Sequence, residues 1–266
     1  MTDLANLMNL RGRKALITGA AGSLGKVFSE TLAEMGADLI LVDMPDKELD
    51  IFSRDLVEKF DIEVRVYYCD LEKEEKRFEL ANNVLSHGLL DILVNNAAFV
   101  GSNKIDGWSV DFERQSIETW RRAMEVNVTA SFHLSQLLCP ALRKASNSSI
   151  INIASIYGEY GPDWSLYEST NMANPAAYST SKGAIIQLTR WLATTLSPSI
   201  RVNAISPGGI ERGQPDNFQT RYAQRTPMGR MASEDDFRGV IAFLASDMSS
   251  YVTGQILAVD GGWGVW

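Results

Sequence analysis

The chain has 266 residues, 45% of them apolar and 22% charged, which suits one soluble α/β domain with a full core. A net charge of −8 without any Lys/Arg-rich run argues against a nucleic-acid surface. No apolar run reaches the roughly 18 residues of a membrane span, the start at Met1–Leu7 lacks a signal-peptide pattern, and Cys69 and Cys139 make no disulfide framework, so a cytoplasmic setting is expected.

Short apolar runs alternate with amphipathic stretches of helix length. The order is strand Lys14–Thr18, helix Leu24–Met35, strand Asp38–Val42, helix Lys47–Phe60, strand Glu63–Tyr68, helix Glu72–His87 and strand Ile92–Asn95. One long helix over Ile117–Ala145 follows, then strand Ser149–Ala154, helix Ala176–Leu196, strand Arg201–Ile205, helix Glu234–Leu244 and strand Gln255–Val259. Most strands read as continuous Ile/Leu/Val runs, as expected where both faces are covered. The alternation predicts a Rossmann-type doubly wound parallel sheet of about seven strands, with helices on both faces, in one domain over residues 1–266. Phe99–Ser116, Gly158–Pro175 and Gly208–Thr226 fall outside the alternation. Each follows a strand at its carboxyl end, where open α/β sheets bind ligands.

Thr18-Gly-Ala-Ala-Gly-Ser-Leu-Gly25 occupies the first strand–helix turn. Glycines there allow a sharp turn and close backbone approach to a pyrophosphate seated on the helix N-terminus. Gly19, Gly22, Ser23, Leu24 and Gly25 are therefore candidate cofactor contacts. Asp43, at the end of the second strand, can accept both adenosine ribose hydroxyls and would repel a 2′-phosphate. No Arg or Lys lies within Ala20–Leu24, so NAD is expected over NADP. Further along, Tyr178 and Lys182 lie four positions apart, on one face of a helix. A phenol with a pKa near 10 becomes a usable acid or base if a neighbouring cation favours its phenolate. His87 and His133 show no ligand spacing, and no metal is expected.

Taken in order, Thr18-Gly19…Gly25, Asp70-Leu71, Asn95-Asn-Ala-Ala98, Asn127, Ser155, Tyr178…Lys182 and Pro207-Gly208 resemble the short-chain dehydrogenase/reductase family of one-domain type, from about Leu10 to Gly262. The resemblance implies that Tyr178 exchanges the proton with an alcohol or carbonyl and that Ser155 holds the substrate oxygen. It implies that Lys182 tunes Tyr178 and binds the nicotinamide ribose, and that Asn127 anchors a water relay to the lysine. Asp70 and Leu71 would meet the adenine, Asn95 and Ala97 the adenosine side, and Pro207, Gly208 and Ile210 the nicotinamide. It implies a homo-oligomer, a tetramer or dimer built on the two long helices. The Trp-rich end and the sequence around Trp191 also resemble members from bacterial surface-sugar and flagellin-glycan synthesis.

The chain departs from that family where 22 residues separate Ser155 from Tyr178, more than is usual. Its extra segment, Glu159–Asn174, is expected to supply substrate contacts from Trp164 and Tyr167, or else a subunit contact. With Trp108 and with Arg212, which stands where a threonine is common, it would offer aromatic faces, carboxylates, amides and a cation to a hydroxyl-rich ligand. The expected activity is NAD(H)-dependent interconversion of a secondary alcohol and a ketone on a sugar or sugar derivative. The alternatives are an NADPH-dependent ketone or acyl-carrier ketoreductase and a non-catalytic nucleotide sensor. The apolar ending Trp263–Trp266 is expected to be covered in an oligomer.

Overall fold

The computed structural model describes residues 3–45, 47–100 and 105–266. Seven strands make one parallel sheet: β1 Lys14–Thr18, β2 Asp38–Asp43, β3 Val64–Tyr68, β4 Ile92–Asn95, β5 Ser148–Ile153, β6 Ile200–Pro207 and β7 Ile256–Val259. Their order in space is β3-β2-β1-β4-β5-β6-β7. The helices are α1 Leu4–Met8, α2 Ser23–Glu34, α3 Lys47–Phe60, α4 Glu74–Ser86, α5 Ile117–Met124, α6 Ala130–Lys144, α7 Ala176–Leu196, α8 Asp216–Arg225 and α9 Arg238–Ala245. Among the described residues no helix is long and apolar enough to cross a membrane.

The continuous apolar strands have two faces to bury. Ile17 pairs in register with Leu41, and both pack under Phe28 and Leu32 of α2 and Ile241 and Leu244 of α9. Their neighbours Leu16 and Ile40, also in register, point the other way onto Leu80 of α4, Leu134 and Leu138 of α6 and Leu192 of α7. A strand with only one apolar face would leave one helix layer without a partner.

The strand order reverses at β1, whose neighbours are β2 and β4, so the loops after these strands diverge and open a crevice at their carboxyl ends. The segment expected as one helix over Ile117–Ala145 holds a turn of π-helix at Glu125–Thr129, between α5 and α6. Such a bulge re-aims side chains, and here it carries Asn127.

Two of the three irregular stretches form a small second core beside the sheet. Leu166 from the long insertion packs with Ile156, Phe218 and Tyr222 of α8, Met231 and Trp263. Tyr222 stacks on Trp263 with centroids 4.5 Å apart, and the Arg225 guanidinium lies over the same indole. The expectation that the apolar ending needs a partner subunit is therefore corrected at Trp263, which is 4% exposed within its own chain. Residues 101–104 of the expected Phe99–Ser116 loop lie outside the described residues.

Candidate active site

At the crevice lies a cleft of about 830 Å³ that runs unbroken from the glycine turn to Ser155, Tyr178 and Lys182. The turn at its first end is held tightly. The Asn96 amide donates to the carbonyls of Thr18 and Gly19, and the Thr18 hydroxyl accepts from the Asn96 and Ala97 N–H groups. Gly19 has φ +65°, and a Cβ on it would stand 2.8 Å from Ala97 Cα. At Gly25 a Cβ would stand 2.0 Å from the Gly19 carbonyl oxygen, so only glycine lets this turn close. Helix α2 then opens with no acidic residue in its first turn, and Ser23, Leu24 and Gly25, which line the cleft, have backbone N–H groups with no acceptor among the described residues. A helix start of this kind accepts a phosphate, so this end fits a dinucleotide.

Asp43 stands at the cleft edge. Its carboxylate accepts from the Ala21 N–H at 2.7 Å and the Met44 N–H at 2.8 Å, so it braces the turn. Each oxygen keeps a lone pair for a ribose hydroxyl. Asp70 and Leu71 line the same end, as do Glu72 and Arg122, which form a two-pronged ion pair. Arg77 went unnoticed in the sequence because it reads as one charge on a polar helix. It is 2% exposed and donates to the Leu71 carbonyl and to His133 Nδ1, while pairing with Glu125 at 2.7 Å.

One cofactor assignment is corrected. Asn95 does not face the cleft: it is 4% exposed, and its amide donates to Asn152 and Ser135 between the sheet and α6. Asn96 and Ala97, in the turn just past β4, line the cleft. Pro207, Gly208 and Ile210 line the opposite end of the cleft, as expected.

Ser155 lies two residues past β5 and caps the short helix that follows, accepting from the Tyr157 N–H at 3.2 Å. Tyr178 and Lys182 come from adjacent turns of α7, with Nζ 5.7 Å from the phenol ring centroid. Lys182 is 3% exposed and donates to the Ile153 carbonyl at 2.6 Å. Burial holds its pKa down at about 8. Burial also raises Tyr178 above the ordinary phenol value, opposed by the hydrogen bond with Ser155 and the charge of Arg212. Ser155 and Arg212 therefore pull the phenol in the same direction as the pull expected from Lys182 beside its ring. Asn127 is 2% exposed, accepts from the Phe99 N–H at 2.6 Å and donates to Ser181 at 2.9 Å, so its side chain pins α7 to the π turn.

The linkage at Lys182 has a measurable consequence. Below pH 8 the folded chain holds a buried ammonium, and between pH 8 and 10.5 the folded lysine is neutral while the unfolded one still binds a proton. The wild type therefore gains stability with rising pH across that window. A Lys182→Met variant lacks this gain, and the difference in Tm between variant and wild type should shift in favour of the wild type from pH 8 to 10.5. A pH-independent difference in thermal melts would contradict the buried charge.

The expected substrate residues divide. Tyr167 and Arg212 line the cleft. Trp164 does not: it is 58% exposed, tilted against Tyr167 on the outer side of the insertion. Trp108 is buried, donates from its indole to the Val100 carbonyl and packs near Phe99, Ala123 and Ala177, so it offers no stacking face. The three carboxylates of the insertion lie outside the cleft: Glu159 accepts from Ser206, Asp163 pairs with Arg225, and Glu168 is exposed. Tyr157, Met172, Phe218, Tyr222 and Met231 line the substrate end without having been singled out. They are ordinary apolar and aromatic residues with no spacing signal, gathered only by the second core.

A parallel Rossmann-type sheet with a glycine turn at one end of a cleft and a Ser/Tyr/Lys set at the other defines a dinucleotide-binding oxidoreductase. A family model described as enoyl-(acyl carrier protein) reductase matches residues 19–264. The chain belongs to the short-chain dehydrogenase/reductase family. It is 33% identical over 263 residues to a 3-oxoacyl-(acyl-carrier-protein) reductase of Thermotoga maritima, covering 96% of this chain and 99% of the relative. It is also 33% identical over 270 residues to a 2-dehydro-3-deoxy-D-gluconate 5-dehydrogenase of Bacillus subtilis, covering 99% of each. A solved gluconate 5-dehydrogenase of Burkholderia cenocepacia J2315, in complex with NADP and tartrate, superposes with a TM-score of 0.87 at 26% identity. That match covers 99% of this chain and 100% of the other.

Proposed function

We propose that the protein interconverts a secondary alcohol and a ketone on a sugar or sugar derivative, using NAD(H). The observation that carries the reading is the single cleft joining the Gly19–Gly25 turn to Ser155, Tyr178 and Lys182. A bound nicotinamide would accept or supply the hydride. Ser155 and the Tyr178 hydroxyl hold the substrate oxygen between them, and Tyr178 takes up or gives back its proton. Lys182, anchored on the Ile153 carbonyl, keeps a cation beside the phenol ring as the proton moves. Asn127 keeps α7 in place through Ser181. The Bacillus relative, a 2-dehydro-3-deoxy-D-gluconate 5-dehydrogenase, and the Burkholderia gluconate 5-dehydrogenase support a hydroxyl-rich carbon skeleton.

The choice of NAD rests on Asp43, at the cleft edge with lone pairs to spare and no cationic side chain in the turn. The NADP in the Burkholderia structure and the reductase relative of Thermotoga make NADPH-dependent ketone reduction the second reading. Steady-state rates with the two cofactors decide between them, and the wild type should favour NAD(H). Asp43→Ser should shift the ratio of kcat/KM values toward NADP(H) by at least about tenfold, since repelling a phosphate by one carboxylate is worth about 1.4 kcal/mol or more. Wild-type preference for NADPH, or no shift in the variant, would reverse the assignment.

A further inference from the structure

The charges lining the cleft are segregated. Asp43, Asp70 and Glu72 lie at the adenosine end, where the one cation, Arg122, is paired with Glu72, whereas the wall running from Ser155 to Met231 carries Lys182 and Arg212 and, among the described residues, no Asp or Glu. The acids in sequence near this wall lie outside its lining: Glu159 accepts from Ser206, Asp163 pairs with Arg225, and Glu168 and Glu211 are exposed. Glu234 meets Arg212 only through Nε, at 2.9 Å, and Gln214 takes the Arg212 backbone N–H. Both terminal nitrogens of the guanidinium are left without a hydrogen-bond partner among the described residues, and a guanidinium matches a carboxylate in two-pronged geometry.

The hydroxyls of the same wall point to the same chemistry. Tyr157 and Tyr167 share one hydrogen bond, 2.6 Å long, across the cleft wall. Two phenols bring two protons and one bond consumes one, so whichever donates, the other proton is unspent. Asn174, 6% exposed, spends its Oδ1 on the Ser179 hydroxyl, and its bond to Tyr167 acts to lower the phenol's pKa, as an amide donor does. Tyr222 accepts from the Gly209 N–H at 2.5 Å and likewise keeps its own proton. Burial keeps Tyr157, Tyr167 and Tyr222 protonated by raising all three above the usual phenol range. The unspent side-chain capacity of this wall is a cation and several O–H donors. A neutral polyol can accept from these hydroxyls but brings donors of its own and no charge, whereas a carboxylate only accepts and also pairs in two-pronged fashion with the guanidinium.

We propose that the substrate carries a carboxylate beside its reacting alcohol, held by the Arg212 guanidinium and by the free hydroxyl proton of the Tyr157–Tyr167 pair. This deepens the alcohol–ketone reading and rests on it. The substrate class is thus a hydroxy acid or sugar acid, and Arg212 with Tyr167 determines the specificity.

Matched pairs test it: D-gluconate against D-sorbitol and D-glucuronate against D-glucose, measured as kcat/KM with NAD⁺ and wild-type holoenzyme. The acid should be preferred by at least about tenfold in one pair, since charge-assisted contacts are stronger than neutral ones. Arg212→Gln should remove that preference chiefly through KM, Arg212→Lys should restore part of it, and Tyr167→Phe should lower it. Preference for the neutral partners, or an acid preference unchanged in Arg212→Gln, overturns the proposal. If no member turns over, calorimetric titration of the NADH-loaded enzyme with the same acids decides. Binding that is lost in Arg212→Gln supports the carboxylate site, and no binding of either acid overturns it. Turnover of any secondary alcohol that survives Tyr178→Phe instead overturns the underlying alcohol–ketone reading.

Discussion

Replacing Tyr178 with phenylalanine is expected to lower kcat by about 10² to 10⁴-fold, the range a positioned general acid or base contributes. The ring keeps its packing and only the hydroxyl goes, so NAD(H) affinity and the melting temperature should stay close to wild type. Ser155→Ala removes a weaker contribution to the same oxygen and should fall short of that loss. The Ser155 cap of the following short helix also disappears in that variant, since its oxygen accepts from the Tyr157 N–H. The rate can be followed with any secondary alcohol the wild type oxidises. A Tyr178→Phe enzyme turning over at the wild-type rate would remove the tyrosine from the chemistry.

The second large effect is expected at Gly25. An alanine there sets Cβ 2.0 Å from the Gly19 carbonyl oxygen and 2.8 Å from Ala20 Cα, both rigid backbone atoms. The turn must open or α2 must withdraw, and overpacking of this kind costs about 1–3 kcal/mol. In a chain of this size each kcal/mol lowers Tm by roughly 2–4 °C. The same movement displaces the free amides of Ser23–Gly25, so NAD(H) binding should weaken at least tenfold, or by about 1.4 kcal/mol. Gly22→Ala is the control, because its Cβ meets only the Gly19 oxygen at 3.3 Å and its φ of −69° suits any residue. Calorimetric titration with NADH and thermal melts of both variants test the cradle, and equal affinity in the two variants would refute it.

The strands were readable one by one. Lys14–Thr18 and Ile92–Asn95 are found with the expected bounds, and the others shift by one or two residues, because a run of Ile, Leu and Val between turns has few other homes in an α/β chain. Helices Lys47–Phe60 and Ala176–Leu196 are likewise as expected. The π turn at Glu125–Thr129 was hidden, since one extra residue barely disturbs a long amphipathic pattern. Helix α8 was read as loop for a different reason. Its sequence is polar apart from Phe218, Tyr222 and Ala223, and its ordering rests on Phe218 and Tyr222, one turn apart, meeting Trp263 and the insertion. Helix α1 buries no residue, so no apolar stripe announces it.

The site divides along the same line. By itself the sequence determined the glycine turn, Asp43 at the end of β2, and Ser155 with Tyr178 and Lys182, because each depends on a few residues along one strand–helix junction or one helix face. The tertiary structure alone decided that Trp164 faces outward, that Trp108 and Asn95 are buried away from the cleft, and that Tyr157 meets Tyr167 across ten positions. It also decided that the acids of the insertion lie outside the cleft while Arg212 stays in the wall. These outcomes depend on which apolar side chains of three separate loops find one another, and burial is non-directional and leaves no spacing in the sequence.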